Sequence, residues 1–278
     1  MRRDFFKILQ YISQNNIQSL LTTNATLIDR SVAARLRKYG LKQARVSLDG
    51  SCSSIHAKLR GTRKSFHQAV SGIKHLIDEG IMVTAITVVS RHNLSDVENI
   101  CDLCLSIGVE GVNFITLVPG GRGKNLNDLI LSPGEYRRFL QQIERLRRTK
   151  GKQGLAILSE APLQAIVRGM KDSGICCAAS AFIFVCEDGS VTACPYFFEK
   201  IGSIRKSSII KIWRHSDFLN NLCNEKLLSD ECRICDYSDS CFGGCRAAAY
   251  NVFGSISRPD PFCWISKDIA RKCLKMGK

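Results

Sequence analysis

Apolar residues recur at helical spacing between Phe5 and Gln14, where Phe5, Phe6, Leu9 and Ile12 share one face. A short apolar run at 18–23 ends in Asn24 and predicts a strand. The same alternation then repeats. A helix is expected over 29–39 with Gly40 closing it, and a strand over 44–48 that ends in Asp49-Gly50. Next come a helix over about 65–79 stopped by Gly80, a strand over Met82–Val89, a helix over 96–106 opened by Asn93 and Ser95, and a strand over 112–118. Helical and strand periods in alternation are the pattern of βα units around a parallel sheet, here with four strands.

Pro119, Gly120, Gly121, Arg122 and Gly123 form a loop after the fourth strand. They match neither a Rossmann fingerprint nor a phosphate-binding lysine loop, since no Gly-Lys-Ser/Thr occurs. A long basic helix is expected from Pro133 to Thr149, with Ser132 and Glu135 as a capping box. Composition shifts at Gly151 to Gly154, and a strand near 155–159 and a short helix near 162–170 lead into a cysteine-rich region. The expected organisation is therefore an α/β body over 1–131, a connecting helical region over 132–170, and a small α+β cysteine-rich domain over 171–278.

In parallel α/β architectures the loops after strand C-termini carry ligand chemistry. Asn24, Ser47, Asp49, Asn93 and Arg122 all sit at such ends. Asn24, Asp49 and Asn93 are also residue types that turns and caps favour.

Composition narrows the class. The 278 residues, 45% of them hydrophobic, suffice for a sizeable core. No run approaches the roughly 20 apolar residues of a membrane span, and the N-terminus is not a signal peptide, so a cytoplasmic protein is expected. The formal charge of +15 raises nucleic acid as a partner. However, the one dense basic run, Arg137, Arg138, Arg145, Arg147, Arg148, Lys150 and Lys152, reads as the solvated face of a helix. The charge alone thus argues weakly for nucleic acid.

Fourteen cysteines are present and eleven follow residue 175. In a reducing compartment such clustering favours metal over disulfides. Cys232, Cys235, Cys241 and Cys245 are separated by two, five and three residues, and Cys263 follows after seventeen more. Upstream, Cys176 or Cys177 precedes Gly189, with Cys194 beyond it. Seven thiols exceed what one zinc ion or one four-iron cluster takes, so two centres are implied. Paired zinc ribbons would use similar spacings. Cys52, Cys101, Cys104, Cys223 and Cys273 are read as ordinary thiols.

The cysteine string, together with Phe242-Gly243-Gly244-Cys245-Arg246-Ala247 and Asp260-Pro261-Phe262-Cys263, resembles the SPASM extension of radical S-adenosylmethionine (SAM) enzymes. Asp4-Phe5-Phe6, Thr23-Asn24, Val46-Ser47-Leu48-Asp49-Gly50, Arg60-Gly61, Thr87-Val88-Val89 with Asn93, and Gly121-Arg122-Gly123 resemble the later strands of that family's barrel. The resemblance implies the last four βα units of a (β/α)6 barrel followed by a SPASM domain. It implies two auxiliary [4Fe-4S] clusters, one on Cys232, Cys235, Cys241 and Cys263. The other would use Cys176 or Cys177, Cys194 and Cys245, with Cys186 or the remaining member of the adjacent pair as fourth ligand. Ser47, Asp49, Asn93 and Arg122 would face SAM or substrate, and the substrate would be a peptide or a small cofactor precursor.

The sequence departs from the family where SAM is cleaved: neither the CxxxCxxC that holds the catalytic cluster nor the following Gly-Gly-Glu occurs. The expectation is a truncated product, with a separately encoded N-terminal segment as a partner and no SAM cleavage by this chain alone. A non-enzymatic peptide-binding module holding zinc or iron–sulfur is the competing expectation.

Overall fold

Five short β-branched or apolar runs pair edge to edge into one parallel sheet, in the order β1 (Leu20–Thr23), β2 (Gln43–Ser47), β3 (Met82–Val89), β4 (Gly111–Thr116), β5 (Ala156–Ser159). This is a computed structural model, and it describes residues 2–169, 178 and 180–266. The chain divides into two compact units, one of residues 1–116 and 142–160, the other of 117–141 and 161–278.

In the first unit α1 (Phe5–Gln14) precedes the sheet, and the first four strands are joined by α2 (Arg30–Lys38), α3 (Ser53–Arg60), α4 (Lys64–Asp78) and α5 (Val97–Ser106). Asp29 caps α2 by accepting the Val32 N–H at 2.8 Å, which satisfies one of the orphan donors of a helix start. Alternation along the strands sends Val46, Val83, Ala85, Val112 and Phe114 toward the helices, where all are buried to 1% exposure or less. Leu36, Ile73, Leu76 and Ile100 of the helices are buried to the same degree. Each such side chain contributes roughly 1.5–3 kcal/mol by leaving water. The opposite face carries Arg45, Ser47, Thr84, Ile86, Asn113 and Leu158, a mixed set instead of an apolar layer.

Two features differ from expectation. The strand near 155–159 joins the parallel sheet as its fifth member, because the helix before it, α6 (Pro133–Thr149), supplies the crossover that a parallel neighbour needs. Arg147 of α6 fixes the return by donating from Nε to the Ile157 carbonyl at 2.7 Å. Helix α3 was not anticipated, since Ser53–Arg60 offers only a narrow apolar stripe. It ends at Gly61, held at φ +78°.

Three of the seven residues of the basic run on and just after α6 are ion-paired. Arg145 pairs with Glu98 at 2.6 Å, Lys150 with Asp102, and Arg147 with Glu144. Glu98 and Asp102 belong to α5, so two of these pairs tie the end of α6 to that helix.

The second unit holds a three-stranded antiparallel sheet, β6 (Phe184–Val185), β7 (Ser190–Thr192) and β8 (Gly202–Ser203). Short helices surround it: α7 (Gln164–Arg168), α8 (Ile209–His215), α9 (Asp217–Leu222), α10 (Asp230–Arg233), α11 (Ser238–Cys241) and α12 (Arg246–Phe253). The expected capping box is present at the start of α6: Glu135 accepts the Ser132 N–H at 2.7 Å, and Ser132 accepts the Glu135 N–H at 3.3 Å. The apolar centre of this second unit joins Ala193, Cys194, Phe197, Leu219, Leu222 and Ala247, with Phe218 edge-on to Phe197. No helix among the described residues is long and apolar enough to cross a membrane.

Candidate metal centre

Four of the predicted ligands come together. Cys232 lies in α10, Cys235 just beyond it, Cys241 at the end of α11 and Cys263 after the Asp260-Pro261-Phe262 turn. All four line one cavity of about 360 Å³, with Leu163, Ile166, Gly243 and Asp260 among its other walls. The two short helices set this up. Cys232 N–H bonds the Ser229 carbonyl and Cys235 N–H the Cys232 carbonyl, so the chain curls and turns both sulfurs to the same side. Phe242 adopts φ +51°, and Gly243 and Gly244 each φ +76°, which reverses the chain between Cys241 and Cys245.

The sulfurs surround a cavity instead of meeting at a point. Among the described residues no three His, Cys, Asp or Glu side chains converge closely enough to hold a single metal ion. Burial pushes the thiols of Cys232, Cys241 and Cys263 up, that of Cys263 to about 11, and the neighbouring cysteines and Asp260 add to the effect. Two groups oppose it at Cys232: the Ser229 hydroxyl and the guanidinium of Arg246. Arg246 is among the largest fully buried side chains of the described residues, at 1% exposure. A cation held out of water beside thiols suits a centre whose ligands ionise only when metal arrives. The donor set and the buried cation fit a four-iron cluster.

The residues of the second predicted set are placed as follows. Cys194, at 6% exposure, and Cys245 belong to the same apolar cluster. Cys245 also caps α12, its sulfur accepting the Ala248 N–H at 3.4 Å. Cys186 opens the turn that links β6 to β7, its carbonyl accepting the Gly189 N–H. Cys176 and Cys177 lie outside the described residues.

Asp260 joins the two sets. Its Oδ2 accepts the Cys245 N–H at 2.7 Å, its Oδ1 accepts the Phe262 N–H at 2.8 Å, and its carbonyl accepts the Cys263 N–H at 2.9 Å. Burial pushes its carboxyl up to about 6 against the pull of those two N–H donors. The Asp-Pro-Phe-Cys string marked this segment, but the partner, fifteen residues upstream, was not visible in it.

The strand-end residues behave differently. The Asp49 carboxylate accepts the Val88 N–H at 2.8 Å and the Arg60 Nε–H at 2.5 Å. Asn93 donates to the carbonyls of Asp49 and Val88 and accepts the Ser90 N–H. Both side chains are buried, and together they lock the ends of β2 and β3. Ser47 is half-buried on the sheet face away from the helices. Arg122 lies in a short 3-10 turn, Gly121–Asn125, of the other unit. Its side chain lies outside the description. Cys101 and Cys104 sit in the core of α5, their thiols pushed by burial to about 12, as structural cysteines should be.

Residues 1–104 match the model of the radical SAM superfamily. Over 278 aligned positions, which take in 95% of this chain and 76% of the other, the sequence is 28% identical to the AdoMet-dependent heme synthase of Nitratidesulfovibrio vulgaris. It is 26% identical to the mycofactocin maturase MftC of Mycolicibacterium smegmatis, covering 95% of this chain and 67% of that one. In fold it is similar to anSMEcpe solved with bound AdoMet and Cp18Cys peptide, at a TM-score of 0.73 and 20% identity, covering 99% of this chain and 80% of that one.

Proposed function

We propose that this chain of the radical SAM superfamily is the iron–sulfur-binding body of a maturase, a protein that modifies a peptide or a cofactor precursor by radical chemistry. Cys232, Cys235, Cys241 and Cys263 would hold one auxiliary [4Fe-4S] cluster. Cys194 and Cys245, with Cys176 or Cys177 and with Cys186 or the other member of the pair, would hold a second. The observation that carries this reading is the convergence of four thiols, distant in sequence, on one cavity beside the buried Arg246. A cluster bound there would pass electrons or anchor substrate. The chain supplies a desolvated, cation-balanced pocket, which sets the potential and limits access of water.

Two substrate classes have support. The likeness to MftC and to a structure that holds a peptide favours a peptide. The heme synthase, at a similar level of identity, favours a tetrapyrrole precursor. In either case Ser47, half-buried at the end of β2, is assigned to SAM or substrate, with Asp49 and Asn93 holding the ends of β2 and β3 in place beneath it. The sequence contains no CxxxCxxC, so the reading assigns SAM cleavage to an assembly in which another segment supplies those cysteines.

The test is iron, acid-labile sulfide and zinc analysis of protein reconstituted without oxygen. About eight irons with matching sulfide per chain are expected. Zinc without sulfide would replace the cluster reading with a structural metal module. Formation of 5′-deoxyadenosine by the isolated chain with SAM and dithionite would refute the assignment of cleavage to a larger assembly.

A further inference from the structure

The turn after β8 and the helix it leads into, α8, are apolar and basic at once on their exposed side. Ile204, Ile209 and Ile210 are 48%, 46% and 61% exposed, three large apolar side chains in water within seven residues. Arg205, Lys206, Lys211 and Arg214 stand among them, all exposed, and no acidic residue occurs from 200 to 216. The fold fixes this arrangement. The Ser203 carbonyl accepts the N–H groups of Lys206 and Ser207, which turns the chain straight into α8, and the Ser208 hydroxyl caps that helix by accepting the Lys211 N–H at 3.3 Å. Ile212 is the buried residue of α8, packed over Gly202 of β8. Helical spacing therefore turns Ile210 and Arg214, two positions to either side, outward. In the neighbouring turn the Asp188 carboxylate is taken up by Lys200 at 2.9 Å and by the Ser190 hydroxyl at 2.6 Å, while Arg205 donates from Nε to the Asp188 carbonyl at 2.8 Å. Lys206, Lys211 and Arg214 have no carboxylate partner among the described residues.

We infer that this face seats the protein on an anionic lipid surface. The isoleucines enter the boundary between headgroups and acyl chains, and the cations beside them meet lipid phosphates. Charge complementarity selects the lipid: a neutral bilayer would take the isoleucines and leave the cations without a counter-charge. Isoleucine has no ring to stack on a base and no hydrogen-bonding group for a base edge, so contact with nucleic acid would leave the three apolar side chains in water. The attachment is a resting of one face on the bilayer, since no helix among the described residues is long and apolar enough to cross it. It draws on none of the cysteines and stands apart from the cluster assignment.

The full chain is sedimented with vesicles of phosphatidylcholine containing about 30% phosphatidylglycerol, and with vesicles of phosphatidylcholine alone. Binding to the anionic vesicles only, weakening as salt rises, is expected. Lys206→Glu combined with Lys211→Glu should weaken it by about tenfold or more. Ile210→Ser should weaken it too, at unchanged net charge. Because the chain carries a formal charge of +15, the control is Lys58→Glu combined with Lys74→Glu, an equal change of charge at exposed positions of α3 and α4, and it should bind like the parent. All the altered positions are exposed, and circular dichroism checks that each variant folds. Three results would overturn the assignment: no binding to the anionic vesicles, an equal loss in the control pair, which would leave net charge as the cause, or full binding by Ile210→Ser, which would mean that no apolar side chain enters the bilayer.

Discussion

The carboxylate of Asp260 accepts the backbone N–H of Cys245 at 2.7 Å, and through it the two groups of thiols share one buried anchor. Its other oxygen takes the Phe262 N–H, and its backbone N–H donates to the Gly243 carbonyl at 3.1 Å. Replacing Asp260 with Ala strips two buried donors of their acceptor. The expected loss is roughly 3 kcal/mol of stability, since each bond to a charged acceptor is worth about 1.5–3 kcal/mol and part is recovered by relaxation. Urea unfolding compares the variants, and iron retention should fall for both clusters together. Asp260→Asn keeps one acceptor and should fall between.

Gly244 gives a second handle on the same turn. It sits at φ +76°, and a Cβ there would lie 2.4 Å from the Cβ of Asp260. Gly254 ends α12 at φ +71° with open space around it. Gly254→Ala should therefore cost only the left-handed conformation, about 1 kcal/mol. Gly244→Ala should cost that and the clash as well, on the order of 3 kcal/mol, and should displace Asp260. Equal losses in thermal or urea unfolding would show that the turn is not packed as described.

Much of this was legible in the sequence and some was not, for identifiable reasons. Helix α1 and strand β3 lie where their periodicity predicted, because a single apolar face decides each. The fifth strand was assigned to a connecting region because Leu155 to Ser159 carries no mark of its neighbour. Only the crossover helix makes it parallel to β4. At the candidate centre, the family resemblance grouped Cys232, Cys235, Cys241 and Cys263, which line one cavity, whereas the part played by Arg246 depends on tertiary burial that no local pattern encodes. Asp49 and Asn93 were legible as polar strand ends, but not that each is bonded across to the other's strand.

Acid should weaken the first unit through His56. The imidazole is 2% exposed, and its Nδ1 accepts the Asp49 N–H at 3.2 Å, which requires the neutral ring. Burial lowers its pKa; Asp49 pulls upward and Arg60 adds to the lowering. With the folded value below the unfolded value of about 6.5, the unfolded chain binds the proton first. The stability contribution is thus fully present above about pH 6.5 and is lost as pH falls through the lower, folded value. Urea midpoints at pH 7.5 and pH 5 should diverge more for the parent chain than for His56→Gln, which cannot titrate. An identical pH dependence in the two would remove His56 as the cause.

The cysteines separate into classes that one substitution series resolves. Cys232→Ala, Cys235→Ala, Cys241→Ala and Cys263→Ala each remove a wall of the same cavity, and each should lower reconstituted iron by about four atoms per chain while leaving the other cluster loaded. Cys223→Ser alters an exposed thiol and should change nothing. Cys101→Ala and Cys104→Ala remove fully buried side chains from the core of α5, so they should cost roughly 1 kcal/mol or more of stability with no loss of iron. The discriminating comparison is Cys241 against Cys104. Both thiols are buried and raised in pKa by that burial, so packing alone predicts the same loss for each. Ligation predicts that only Cys241 takes iron with it.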